Sequence, residues 1–236
     1  MTLRAASSTI TILPSIRKEP GYDPLKDFTP VGSMVRMPFV LVAPTSLPYK
    51  GVQDMLAAAK ASPGKVNFAS AGLGSTTHLA VAKLFKDAGR EATHVPYNGN
   101  GAAMADLLGG RVDLLFEQYG VALPHVKAGR LRMLGASTAS RLDAAPDLPT
   151  IAEQGVPGYN YVVWNGLFVP AGTPKEAVQK LDEALRRVLA KKDVADRIRS
   201  GGDEPLLMSA NDFHNFVADE LVKMEKLVSD LHLPKD

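Results

Sequence analysis

Between residues 39 and 137 the sequence alternates between two hydrophobic patterns, and this alternation limits the possible folds more than any other feature. The short apolar runs "FVLVA" (39–43), "KVNFAS" (65–70), "ATHVPY" (92–97), "VDLLF" (112–116) and "LRMLGAS" (131–137) read as strands, with "NGLFVPA" (165–171) further on. Helical stretches lie between them. "GVQDMLAAAKASPG" (51–64) closes on Pro63-Gly64, "STTHLAVAKLFKDAG" (75–89) on Gly89, and "AAMADLLGG" (102–110) on paired glycines. Each glycine supplies the positive-φ residue that stops a helix. Three βα units in a row predict an α/β fold with a largely parallel sheet covered by helices.

Beyond residue 173 the strand pattern stops. Thr173-Pro174-Lys175-Glu176 reads as a capping box with proline at the first helical position, followed by Val178, Leu181, Leu185, Val188 and Leu189 at helical spacing. Ser209-Ala210-Asn211-Asp212 opens a second helix the same way, with the stripe Phe213, Phe216, Val217, Leu221, Met224, Leu227 and Val228. Such amphipathic helices need a sheet to cover. "RLDAAPDLPTIAEQGVPG" (141–158) is the expected surface loop.

Composition narrows the function classes. The chain has 236 residues, 45% of them hydrophobic, which is enough for one large domain or two lobes. Its 27 basic and 25 acidic residues leave a net charge of +2 without a long basic run, so nucleic acid and membrane surfaces are poor partners. The absence of cysteine removes thiol chemistry and disulfides but fits either cytosol or periplasm. No apolar run reaches the roughly 20 residues that cross a bilayer. The start, "MTLRAASSTITILPS", makes a poor secretory signal.

The stretch "SAGLGSTTHL" (70–79) joins a strand to a helix with two glycines and three consecutive hydroxyl residues. As a dinucleotide-binding turn, Gly72-x-Gly74-x-x-Thr77 lacks the third glycine. The strand that follows ends on Val95-Pro96-Tyr97 without the acidic residue that would hold a ribose. A simpler property remains: the backbone N–H groups of Ser75, Thr76 and Thr77 sit in the first helical turn, where intrahelical partners are missing and the helix dipole is positive. A carboxylate or phosphate fits there, and plain capping by Ser75 or Thr76 is the alternative. Tyr97-Asn98-Gly99-Asn100-Gly101 repeats the arrangement, as a ligand turn or as a simple glycine turn.

Catalytic groups are sparse. Gly135-Ala136-Ser137-Thr138-Ala139 resembles an esterase elbow, but a proline-bearing loop follows it, so it reads as a strand exit. The histidines at 78, 94, 125, 214 and 232 lack metal-ligand spacing and read as packing or surface residues, so neither metal nor cofactor is expected. Glu117, at a strand's carboxyl end, is a candidate general base, ligand contact or helix cap. Trp164 is the only tryptophan, either core or one wall of a ligand pocket.

Six phrases in order, "YDPLKDFTPVG", "SAGLGSTTHLA", "THVPYNGNGAAMADLLGGRVDLLFE", "ALPHVKAGRLRMLGAST", "LPTIAEQGVPGY" and "GLFVPAGTP", resemble the Bug-type (TctC-like) solute receptors of tripartite tricarboxylate transporters. The resemblance implies a two-lobed, type II-like periplasmic binding protein that captures a small organic carboxylate and hands it to membrane permease subunits, without catalysis. It implies that Ser70–Thr77 grips a ligand carboxylate, that Tyr97–Gly101 lines the same cleft, and that Glu117 stands where the family commonly carries aspartate. The expected ligand set is Ser70, Ala71, Gly72, Gly74, Ser75, Thr76, Thr77, Tyr97, Asn98, Gly99, Glu117 and Trp164, with Ser8 and Thr9. Family members carry a strand, a proline- and glycine-rich loop, a helix and a further strand-helix unit before the equivalent of "TLRAASST". The expected lobes are therefore 44–163, continuous, and 1–43 with 164–236, incomplete and open to pairing with a second copy. The competing function classes are an α/β enzyme acting on a phosphorylated or nucleotide substrate, which lacks a positioned acid–base pair, and a remnant that binds nothing.

Overall fold

The computed structural model describes residues 2–233 and Lys235. In chain order the elements are β1 (Leu3–Ala6), a π-helical turn (Ser8–Ile12), α1 (Leu13–Ile16), β2 (Phe28–Pro44), α2 (Val52–Ala61), β3 (Asn67–Ser70), α3 (Thr76–Asp87), β4 (Thr93–Pro96) and α4 (Asn100–Leu108). Then come β5 (Leu115–Gln118), α5 (Tyr119–Lys127), β6 (Leu131–Ala136), a 3-10 turn (Ala152–Gln154), β7 (Val162–Pro170), α6 (Lys175–Leu189), α7 (Lys192–Ser200), β8 (Glu204–Pro205) and α8 (Ala210–Asp230). They form two compact units, Pro38–Val162 and Met1–Met37 with Val163–Asp236. The chain passes between them inside β2 and at the start of β7, slightly before the boundaries at 43 and 164 read from the sequence.

In the unit Pro38–Val162, β3 and β4 pair in parallel from Asn67↔Thr93 to Ser70↔Pro96, and a parallel bridge joins Phe68 to Leu114 just before β5. The expectation of a largely parallel sheet is corrected at β2: Phe39–Pro44 runs antiparallel to both β5 and β6, with a register shift between Leu41 and Val42. "FVLVA" is thus buried between two neighbours, and Val40, Leu41 and Val42 have no exposed surface. With both faces covered, the strand reads as an unbroken apolar run rather than an alternation. Around it, Ala69, Ala103, Leu107, Leu115, Ala122 and Leu131 form a core of small aliphatic side chains. Helix α5 falls where no helix was expected, because Pro124 lies inside it and proline reads as a breaker.

The other unit is a sheet of β1, β7, the first half of β2, and β8. β1 pairs antiparallel to β7 from Leu3↔Phe168 to Ala6↔Asn165, and β8 pairs with Val35 and Arg36. Its core is aromatic: Trp164, Phe168 and Phe213 are fully buried with Ile10, Val217 and Leu221, and Phe216 packs against them. The two C-terminal helices begin differently. Ser209 caps α8 as expected, accepting from the Asp212 N–H at 3.0 Å. The capping box at Thr173 does not form, because its hydroxyl donates to the Pro170 carbonyl at 2.7 Å and Pro174 becomes an N-cap without a side-chain bond. The stripe of α6 is only partly covered, with Val188 48% exposed.

Candidate functional site: the glycine turn at the start of α3

The turn between β3 and α3 is shaped by two glycines that carry positive φ, Gly72 at +122° and Gly74 at +70°. A Cβ on Gly72 would also stand 3.3 Å from the Tyr97 carbonyl oxygen, so the turn depends on glycine both for its backbone angle and for close approach. Ser75 is the N-cap of α3, its Oγ accepting from the His78 N–H at 3.2 Å.

Most donors of this turn already have internal partners. The Ala71 N–H donates to Thr77 Oγ1 at 3.0 Å, the Gly72 N–H to Ser70 Oγ at 3.1 Å, the Gly74 N–H to His78 Nδ1 at 3.1 Å, and the Ser75 N–H to the Gly72 carbonyl at 3.1 Å. Of the three amides singled out from the sequence, Ser75 is therefore removed as a ligand donor. The N–H groups of Thr76 and Thr77 remain without a partner among the described residues, as does the half-buried Thr76 hydroxyl. Two adjacent N–H groups and a hydroxyl at the positive end of a 12-residue helix suit the two oxygens of a carboxylate.

Behind this cradle a polar relay ties three turns together. Thr77 Oγ1 donates to Asn100 Oδ1 at 3.2 Å, and Asn100 Nδ2 donates to Glu117 Oε2 and to the Phe116 carbonyl, each at 3.1 Å. Glu117 Oε1 accepts from the Gln118 N–H at 2.8 Å. Burial pushes the Glu117 carboxyl above the usual carboxylate range, against the hydrogen bonds from Gln118 and Asn100 that pull it down. The turn at Tyr97–Gly99 is joined to the first through the Tyr97 N–H, which donates to the Ser70 carbonyl at 3.1 Å. Its phenol is engaged elsewhere, donating to Asp106 Oδ2 at 2.8 Å on α4. Asn98 is exposed, and Gly99, at φ +98°, is the N-cap of α4 with no side-chain cap.

Ser70–Thr77, Tyr97–Gly99 and Glu117 thus come together in the unit Pro38–Val162. The remaining expected residues belong to the other unit. Trp164 is corrected from pocket wall to core, since its ring has no exposed surface and meets Phe213 and Phe216 edge-on, centroids 5.4 and 5.5 Å away. Ser8 and Thr9 are exposed at the start of the π-helical turn, and Thr9 lines a cavity of about 440 Å³ with Arg4, Tyr22 and Asn165. Ser137 of the esterase-like stretch is buried, its Oγ accepting from the Phe39 N–H at 3.0 Å, which leaves no exposed nucleophile there.

Sequence reading missed Asn100, although it stands inside the glycine turn already marked. It also missed His78, which was grouped with packing histidines. The available signals were positional: an asparagine opening a helix after glycine, and a ring four residues beyond Gly74.

This α/β fold is shared with solved periplasmic binding proteins. A Rhodopseudomonas palustris protein solved with adipate is 34% identical with a TM-score of 0.88, covering 99% of this chain and 78% of that one. The periplasmic binding protein BugD is 28% identical with a TM-score of 0.84, covering 100% of this chain and 79% of that one. MatC from Rhodopseudomonas palustris, solved with bound malate, is 29% identical with a TM-score of 0.80 over 96% of this chain and 78% of that one. The sequence pattern of the tripartite tricarboxylate transporter family receptor matches residues 1–233. The chain belongs to that family. Among relatives, a protein of the tcbD–tcbE intergenic region of Pseudomonas sp. is 38% identical over 77% of this chain, which spans 54% of that relative's length. Protein BugT of Bordetella pertussis is 30% identical over 97% of this chain and 70% of its own length.

Proposed function

We propose that this chain is a periplasmic receptor, not an enzyme, that captures a small organic carboxylate for the membrane permease subunits of a tripartite tricarboxylate transporter. The observation that carries the reading is the pair of N–H groups at Thr76 and Thr77, which with the Thr76 hydroxyl have no partner among the described residues, while the N–H groups of Ala71, Gly72, Gly74 and Ser75 are internally bonded. Two relatives of the same fold hold dicarboxylates, adipate and malate. The grip is mostly backbone, so it recognises the carboxylate group and leaves the choice among carboxylic acids to the rest of the ligand. Glu117, Asn100 and the Thr77 hydroxyl hold the cradle in place, and the Thr77 N–H is left for the ligand.

Calorimetric titration of adipate and malate against the chain and against Gly74→Val tests the assignment. A branched Cβ at a φ of +70° is strained whatever space surrounds it, so the turn deforms and affinity falls by roughly tenfold or more. Full affinity in a folded Gly74→Val protein would make the turn a plain helix cap. Silence with both dicarboxylates would remove the carboxylate reading.

A further inference from the structure

We propose that His78, backed by His94, is a positioning residue for the cradle: its neutral ring fixes the Gly74 amide, so the turn keeps its shape only while this histidine stack is uncharged. For its consequence on affinity, the inference rests on the carboxylate reading above.

The geometry is specific about protons. Gly74 N–H donates to His78 Nδ1 at 3.1 Å, which requires an unprotonated Nδ1. The backbone of the same residue reaches the opposite side of the turn, since His78 N–H donates to the Ser75 cap. One residue therefore holds the turn at Gly74 through its ring and at Ser75 through its main chain, immediately before the free amides of Thr76 and Thr77. His94 on β4 stacks on His78 with ring centroids 3.9 Å apart and an interplanar angle of 18°. Its Nε2 lies 2.6 Å from Ser70 Oγ, and that hydroxyl in turn accepts from the Gly72 N–H. Phe68 closes the far side of the pair, 4.9 Å from the His94 ring and 6.1 Å from the His78 ring.

The two imidazoles thus fix two of the turn's amides, Gly74 directly and Gly72 through Ser70. Protonating Nδ1 of His78 would set two donors against each other and place a cation against a second, half-buried imidazole. The surroundings keep the ring neutral: burial first and the neighbouring His94 second lower the His78 pKa to about 4, and burial lowers that of His94. Other ionisable groups on elements packed against α3 are engaged elsewhere. Glu117 on β5 is held by Asn100 and Gln118, and the Tyr159 phenol donates to the Ala80 carbonyl at 2.8 Å.

The test begins without any ligand. In the isotopically labelled chain, the Gly74 amide and the His78 and His94 ring resonances are followed by NMR from pH 7 down to pH 3.5. The expected result is a Gly74 amide that moves with the His78 titration. At pH 7, His78→Leu should speed Gly74 hydrogen exchange by roughly tenfold or more, and His78→Asn, which places an amide oxygen near the Nδ1 position, should restore protection. Titration with adipate should give the same ranking, with affinity about tenfold weaker in His78→Leu and recovered in His78→Asn. A Gly74 amide indifferent to the His78 titration, or full adipate affinity in His78→Leu, would overturn the proposal. A chain that binds neither adipate nor malate but whose Gly74 amide still follows His78 upholds the positioning and fails the carboxylate reading.

Discussion

The unit Pro38–Val162 packs alanine, valine and leucine between its strands and helices, whereas the unit built from both ends of the chain packs Trp164, Phe168, Phe213 and Phe216 against one another. Small side chains let strand-to-helix turns come close, so the Ala71 amide, Thr77, Asn100 and Glu117 form one hydrogen-bonded relay. Large rings fill space without such relays, and the Trp164 Nε1 is buried with no partner among the described residues. One unit is built for polar precision and the other for apolar volume, on the same α/β plan.

Three perturbations would break or sharpen that contrast, and the largest effect belongs to the aromatic unit. Trp164→Ala empties the centre of its ring cluster and should cost about 3 to 5 kcal/mol of stability, read from the shift of the denaturant midpoint. A loss below about 1 kcal/mol would mean the ring cluster is not what holds that unit together.

Acid should act mainly on the aliphatic unit. His78 has a folded pKa of about 4 against an ordinary 6.5, so between those values the unfolded chain takes up a proton that the folded chain refuses. Its contribution is intact above pH 6.5 and is lost as pH falls towards 4, about 3 kcal/mol in total. Burial raises the carboxyls of Glu117 and of Asp203 in the aromatic unit, which works in the opposite sense and favours folding in acid. Hydrogen exchange followed down the pH scale should therefore loosen α3 before α8. Replacing His78 by asparagine should flatten the response of α3, and simultaneous loosening of both helices would contradict the assignment.

The smallest effects come from adjacent threonines. Thr77→Val leaves the Ala71 N–H without its acceptor and the Asn100 Oδ1 without its donor and should lower stability by about 1 to 3 kcal/mol. Thr76→Ala removes a hydroxyl with no internal bond, so stability should hold while carboxylate affinity weakens by about 0.5 to 1.5 kcal/mol. Equal stability losses at the two positions would mean that Thr76 also has a structural partner.

Local signals were legible where the physics is local. The Ser75 and Ser209 caps each bond an N–H three residues away, and the glycine turns announce their positive φ directly. The same kind of reasoning misled at Thr173, where the hydroxyl bonds the Pro170 carbonyl instead of capping α6. A proline inside α5 hid that helix, because the surrounding contacts outweigh its local penalty.

By itself, then, the sequence determined the alternation of strands and helices, the glycine-shaped turn at residues 70–77, and the capped starts of α3 and α8. Only the tertiary structure decided that β2 runs antiparallel between β5 and β6, that Asn100 joins Thr77 to Glu117, that His78 and His94 stack behind the cradle, and that Trp164 is core. The reason is separation along the chain. A cap or a turn is settled by residues within reach of a single helical turn, but the partners of Thr77 and His78 arrive from 23 and 16 residues away, once strand order has brought β3, β4 and β5 side by side.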